Sequence, residues 1–433
     1  MALCKAAKLK LPHGIPHSSL EKLFLAHHTK IESWFRREWK KTPPPLTTSV
    51  DLRNEGFKLA PVDTNLFPAG FNNLNPASLP LCIQAAQSTI TERVPSCTKI
   101  MLIPENHTRN RFYFDSLLSL YDILSKAGFE VRIGSLMEDL KTSHPIESPH
   151  YPPLYLEPLI RTKNRIHAED FDPCIILLNN DLSSGIPDIL NNIEQPIFPN
   201  PKLGWSTRLK STHFTHYQAI AQTFGELIGL EPWFISPLFN TQTEVDFMEG
   251  IAMEALAEKA DKLLNEIRQK YHEFQVHQEP FIVIKADSGT YGMGIMMIKD
   301  AKELLSLNRK QRSKMAATKG HQKITHVILQ EGVYTFESVG SGAKQGVAEP
   351  VIYMIGQYVV GGFYRIHTEK NKDDNLNMPG MHFESMAFKE ACNNPEKNAD
   401  PEKCPNRFYT YSVIARLAAL AAAREAVELK ESK

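Results

Sequence analysis

The sequence has no excess of either charge: its 433 residues carry 49 Lys and Arg against 49 Asp and Glu, a formal net charge of zero. Proteins that hold nucleic acid or anionic membrane through bulk charge carry a basic excess, so neither partner is expected. Cysteine is scarce. The six residues Cys4, Cys82, Cys97, Cys174, Cys392 and Cys404 form no C-x-x-C pair, which excludes a disulfide framework and predicts free thiols in a cytoplasmic protein. Long apolar runs are missing too, so no membrane span is expected. Val413 to Ala423 comes nearest, but Arg416 interrupts it and Arg424 and Glu425 close it, so it reads as an amphipathic helix. The opening MALCKAAKLKLPHGIPHSSLEKLF has no continuous apolar core and no secretory-signal character.

Several catalytic signatures are also lacking. There is no G-x-S-x-G elbow and no catalytic-cysteine motif. His213 and His216 have no third ligand in motif spacing, so zinc is not predicted there. A Walker A loop, a G-x-G-x-x-G opening a helix, and the H-R-D and D-F-G pair of protein kinases are all absent.

What is present is a large α/β chain. Residues 19–41 read as a helix stopped by the prolines of KKTPPPLTT, and residues 1–44 are expected to be a helical appendage. Residues 45–240 alternate strand and helix: strand Thr98 to Pro104, helix Phe112 to Lys126 with Gly128 as C-cap, strand Phe129 to Ile133, strand CIILLNND and helix Thr212 to Ile228. This segment is assigned as an α/β substrate-side domain. Residues 241–433 open on a predicted helix from Thr243 to about Phe274, with Thr243 and Asp246 in capping-box spacing. Strands PFIVIK, MGIMMI, THVILQE, PVIYMI and QYVVGGFYRI follow.

FIVIKADSGTYGMGIMMIK is the segment richest in chemistry. Lys285 ends an apolar strand, Gly289, Gly292 and Gly294 make a loop, and a second strand follows. Glycines let main-chain N–H groups approach a polyphosphate, and an ammonium neutralises its charge. Downstream, the strand THVILQE ends in Gln330 and Glu331, with Val333 just beyond and Glu337 seven residues after Gln330; two further strands lead to Arg365, then to Asn375 and Asn377. An arginine can take phosphate oxygens in pairs, and carboxylate or amide oxygens suit Mg²⁺.

This order of lysine strand, glycine loop and hinge strand resembles the ATP-grasp fold. PVDTNLFPAGFNNL, IPENHTRNRFYFDSL, KADSGTYGMGI, ILQEGV and GGFYRIH...NLNMPG together look like the compact proteobacterial glutamate-cysteine ligases, from about residue 45 onward. The resemblance implies a pre-ATP-grasp-like α/β domain followed by a two-lobed ATP-grasp-like α+β region. It implies ATP and Mg²⁺ as cofactors, L-glutamate and L-cysteine as substrates, and γ-glutamyl phosphate as intermediate in the first step of glutathione synthesis. Lys285 would contact the phosphates under the Gly289 to Gly294 loop, Gln330 to Val333 would face adenine, Glu337 would hold the ribose, and Lys285 and Arg365 would be the catalytic cations.

The late E-x-N strand with which many ATP-grasp enzymes end is not found, because the last segment reads as a helix. Metal ligands are therefore sought elsewhere, with Glu349, Asn375 and Asn377 ahead of Asp374 and Glu384. For the amino acids, Arg109 or Arg111, Arg208 and Asp63 supply the charges a zwitterion needs, although Arg111 also stands in bridge spacing with Asp115. Another carboxylate–amine ligase, or a nucleotide-binding protein without catalysis, remains an alternative on these residues. A homo-oligomer is compatible with the same reading.

Overall fold

The computed structural model describes residues 9–10, 18–106, 111–146, 153–289, 294–316, 323–340, 345–386 and 408–431. Three large sheets organise them. A six-stranded sheet runs Ile197–Phe198, Ile175–Leu178, Lys99–Ile103, Glu130–Ser135, Leu154–Pro158 and His144–Ile146. Its first five strands are parallel, as strand–helix alternation predicts. The helices Leu79–Arg93 and Arg111–Lys126 pack against it, and Gly128 ends the second at φ +95°, a left-handed turn that a side chain would resist.

A four-stranded antiparallel sheet, Phe239–Gln242, Val327–Glu331, Ile282–Ala286 and Ile295–Ile298, forms one lobe of the other half. The helix Met253–Glu273 covers it, burying Leu256, Ala260, Leu263, Ile267 and Tyr271 along one face. That helix starts ten residues later than expected. Asp246 does not cap it: its carboxylate accepts from Met248 N and Glu249 N in a turn closed by an Asp246–Ile251 bridge. Positive φ at Gly250 and Ala252 then breaks the helical path.

The remaining seven-stranded sheet joins distant parts of the chain. Gly346–Ile355 pairs with Tyr358–His367, which pairs with His382–Ser385; on its other side Gly346–Ile355 pairs with Thr47–Asn54, and that strand with Leu59–Asn65. The segments 45–240 and 241–433 thus share one sheet. The opening helices share its core as well, with Phe24, Ile31, Trp34 and Phe35 packed with Phe224 and Leu417.

The last helix, Phe408–Glu431, departs from the amphipathic expectation. Val413 to Ala423 is buried on every side, because the helix lies against Lys210–Ile228, Thr47–Asn54 and Leu59–Asn65. Arg416 escapes the apolar surroundings by donating to Glu32 at 2.7 and 2.8 Å. No helix among the described residues is long and apolar enough to cross a membrane.

Candidate active site

Strand periodicity builds one cleft from two facing sheets. On Ile282–Ala286 the two-residue repeat puts Val283 and Lys285 on one face, and register places Ile295 opposite Lys285 and both Met297 and Gln330 opposite Val283. On the seven-stranded sheet, Asp51 and Arg53 share a face of Thr47–Asn54, Asp63 lies opposite Asp51, and Glu349 lies opposite Arg365. All of these line one cleft, together with Lys210, Ser288, Gly289, Glu331, Val333, Asp373, Asn375 and Asn377.

The cleft has three chemically distinct zones. Val283, Ile295, Met297 and Val333 make an apolar slot beside Gln330 and the main chain of the hinge. Gly332 is required there by close approach, since a Cβ would lie 2.2 Å from the Phe281 ring.

The second zone is a knot of arginines and acids. Arg365 donates to Asp51 at 2.8 Å and to Glu349, and Arg53 Nε donates to Glu349 at 3.2 Å. Burial opposes the charge of Arg365, but Asp51 and Glu349 outweigh it and hold its pKa above the usual guanidinium value. Burial, then the neighbouring Glu349 and Asp63, raises the pKa of Asp51 although Arg365 pulls the other way.

The third zone holds two lysines. Lys285 Nζ donates to Val62 O at 2.7 Å, and Lys210 Nζ donates to Gly289 O at 2.7 Å and lies 4.5 Å from the Trp205 ring centre. Neither ammonium has a carboxylate within 4 Å among the described residues. Burial is the largest influence on both: it pushes Lys285 down to about 8 and also lowers Lys210, with Asp63 opposing each shift.

The structure gathers Lys285, Gly289, Gln330, Val333, Asp63, Glu349, Arg365, Asn375 and Asn377 around one space. Glu331 borders it, but its carboxylate turns away to Lys58 Nζ (2.8 Å), Trp233 Nε1 (3.0 Å) and Leu238 N (2.8 Å). Three expected residues, Glu337, Arg208 and Gly294, are not brought to the wall. Glu337 is buried, accepting from Asn54 Nδ2 at 2.9 Å and from Tyr411 OH. Arg208 is consumed by Glu425 at 2.8 and 3.0 Å and by Thr64 O, and that pairing outweighs burial to bring Glu425 down to about 2. Gly294 takes φ +64° beside Ile324 and is not on the wall. Gly292, Arg109 and the side chain of Arg111 lie outside the described residues. Glu384 is on the edge strand His382–Ser385, and Asp374 gives its main-chain oxygen to Arg53.

Asp51, Arg53, Lys210 and Asp373 line the cleft without having been singled out in the sequence. Two opposite charges flanking the buried Leu52, in DLR, were the available signal for the first two. For Lys210 the signal was position: a cation in the first turn opposes the helix dipole, so something other than helix stability places it there.

The donor set suits a hard divalent cation. Asp51 and Glu349 converge on a single guanidinium, with the amide side chains of Asn375 and Asn377 on the same wall. No group of three or more His, Cys, Asp or Glu side chains among the described residues could hold a metal alone. Any further coordination of such a cation would have to come from a bound ligand and water.

The GshA family model, described as glutamate-cysteine ligase, matches residues 21–426. A crystal structure from Methylobacillus flagellatus KT, provisionally named a gamma-glutamylcysteine synthetase, is 50% identical, with a TM-score of 0.90 over 99% of this chain and 100% of that one. A glutathione synthetase-like effector from Globodera pallida is 9% identical at a TM-score of 0.40, covering 85% of this chain and 83% of its own, too distant to bear on the argument. Among curated proteins none matches. With the family model spanning most of its length and a relative at half identity over nearly all of it, the chain belongs to the glutamate-cysteine ligase family.

Proposed function

We propose that this ligase joins L-glutamate to L-cysteine by ATP-dependent activation of the γ-carboxylate, with the nucleotide along the apolar slot and the reacting groups between the lysines and the acid knot. The observation that carries this reading is the convergence of Lys285, Gln330, Glu349 and Arg365, from four strands of two sheets, on one cleft. Adenine would lie among Val283, Ile295, Met297 and Val333, where burial favours a flat apolar ring. Lys285 would face the phosphates. It is already desolvated, so its charge acts at low dielectric and needs little reorganisation.

Glu349, Asn375 and Asn377, with Asp51, would hold a divalent cation, Mg²⁺ by its preference for oxygen. When bound, that ion supplies charge neutralisation across the phosphates. Arg365, held by Asp51 and Glu349, would stabilise charge on the transferring phosphoryl group. The γ-carboxylate oxygen attacks the terminal phosphorus, giving γ-glutamyl phosphate and ADP. The amine of cysteine then attacks the acyl carbon, loses a proton and expels phosphate. No protein nucleophile takes part. Cytoplasmic residence fits the free thiols of Cys82, Cys97 and Cys174.

ADP release measured across amino-acid pairs is the direct test. Release that requires both glutamate and cysteine is expected, and equal release with unrelated pairs would overturn the assignment.

A further inference from the structure

Four cations among the described residues line the cleft, and their partners divide them. Arg53 and Arg365 are already bound to carboxylates, whereas Lys210 and Lys285 are held only by main-chain carbonyls. The phosphates account for one lysine under the reading above. The other has no anion assigned to it.

Lys210 is built to present its charge. Its ammonium has three donors, of which Gly289 O takes one, and Trp205 supports it from 4.5 Å. The segment that carries it is clamped to the strand that carries Lys285. Lys210 N donates to Asp287 O at 2.8 Å, Ser211 N and Oγ donate to the Asp287 carboxylate at 2.8 and 2.6 Å, and Gly289 N donates to Trp205 O at 2.9 Å. Asp287 therefore caps the helix Lys210–Ile228 from outside, a helix whose own N-cap, Leu209, has no capping side chain. Five hydrogen bonds, counting Lys210 Nζ to Gly289 O, fix the lysine within the cleft. Asp63 lies on the same wall, so cation and carboxylate are offered together, the complement of an α-amino acid.

We propose that Lys210 binds the α-carboxylate of an amino-acid substrate, the role that sequence reasoning gave to Arg208 two residues earlier. This rests on the ligase reading. Gly289 and Trp205 are positioning groups that keep the ammonium aimed.

The test is a ligand–residue cycle on the full chain by calorimetry, with a non-hydrolysable ATP analogue present. Glutamate is compared with 4-aminobutyrate, and cysteine with 2-aminoethanethiol; each analogue lacks only the α-carboxylate. The wild type is expected to bind one analogue about 10- to 100-fold more weakly than its parent, the range for a hydrogen bond to a charged group. Lys210→Met should bind that parent and analogue alike, and Lys210→Arg should restore part of the difference. The collapsing arm identifies the amino acid. Undiminished discrimination on both arms would overturn the proposal, as would loss of nucleotide affinity with discrimination intact, which would place Lys210 on phosphate. Lys210→Gln, which keeps a donor for Gly289 O, carries the same test if the methionine variant does not fold. Failure of the cycle while wild-type ADP release still needs glutamate and cysteine removes only the role of Lys210. Absence of that release removes the ligase reading itself.

Discussion

Lys58 and Lys285 are both buried lysines, yet their ammonium groups have partners of different kinds. Lys58 is fully enclosed, 2.8 Å from Glu331, 4.2 Å from the Trp233 ring centre and close to Glu55. Lys285 is nearly as enclosed, but its nearest acceptor is a peptide carbonyl. An ion pair satisfied inside the protein is part of the scaffold, and removing one partner strands the other. An ammonium desolvated without a carboxylate within reach is held ready for an anion from outside. The partner separates structure from function here, since burial is common to both.

The largest effect that would break this contrast is on turnover. Lys285→Ala should lower kcat by about 10³-fold or more, as loss of a preorganised charge does, while leaving the thermal midpoint unchanged or raised. Near-wild-type turnover would move the phosphate site elsewhere. Lys58→Met should do the reverse, costing about 3–5 kcal/mol of stability in urea unfolding by leaving Glu331 buried without its cation, with the KM for ATP of the folded fraction little changed.

The pH response sharpens the comparison next. Burial holds Lys285 near 8, so kcat/KM for ATP should fall about tenfold per unit above that pH, and Lys285→Arg should remove the limb. Stability moves in the opposite sense. Because the folded state disfavours the charged lysine, the cost of burying it is full below pH 8 and is relieved as pH climbs toward the ordinary lysine value. The smallest effect belongs to Glu337. Glu337→Gln should cost roughly 1–3 kcal/mol through Asn54 and Tyr411, with the KM for ATP within about twofold of wild type; a large KM rise would return Glu337 to the nucleotide.

Local chemistry was legible in the sequence, and pairing across the chain was not. Lys285, Gly289, Gln330 and Arg365 stand at strand ends or beside glycines, where alternation reports the face they occupy. Asp51 and Arg53 gain their meaning only from Glu349 and Arg365, with Arg53 and Glu349 separated by 296 positions. Arg208 and Lys210 look interchangeable at the start of one helix. Glu425, 217 residues beyond Arg208, neutralises that arginine and leaves the lysine to the cleft. The final helix misled for a related reason. Its alanines and leucines were read with one wet side, but tertiary packing covers them all.

The strand Thr47–Asn54 gives the molecule a timetable. Translation at roughly 5–20 residues per second places about 15–60 s between the emergence of Arg53 and that of Glu349. The parallel sheet between residues 99 and 198 has all its strands long before then. Throughout that interval one edge of Thr47–Asn54 waits for Gly346–Ile355, and a bare strand edge, with its unpaired N–H and C=O groups, is a template for wrong pairing. Added chaperone should therefore raise the soluble yield more than any change at the cleft, because the vulnerable moment comes during synthesis.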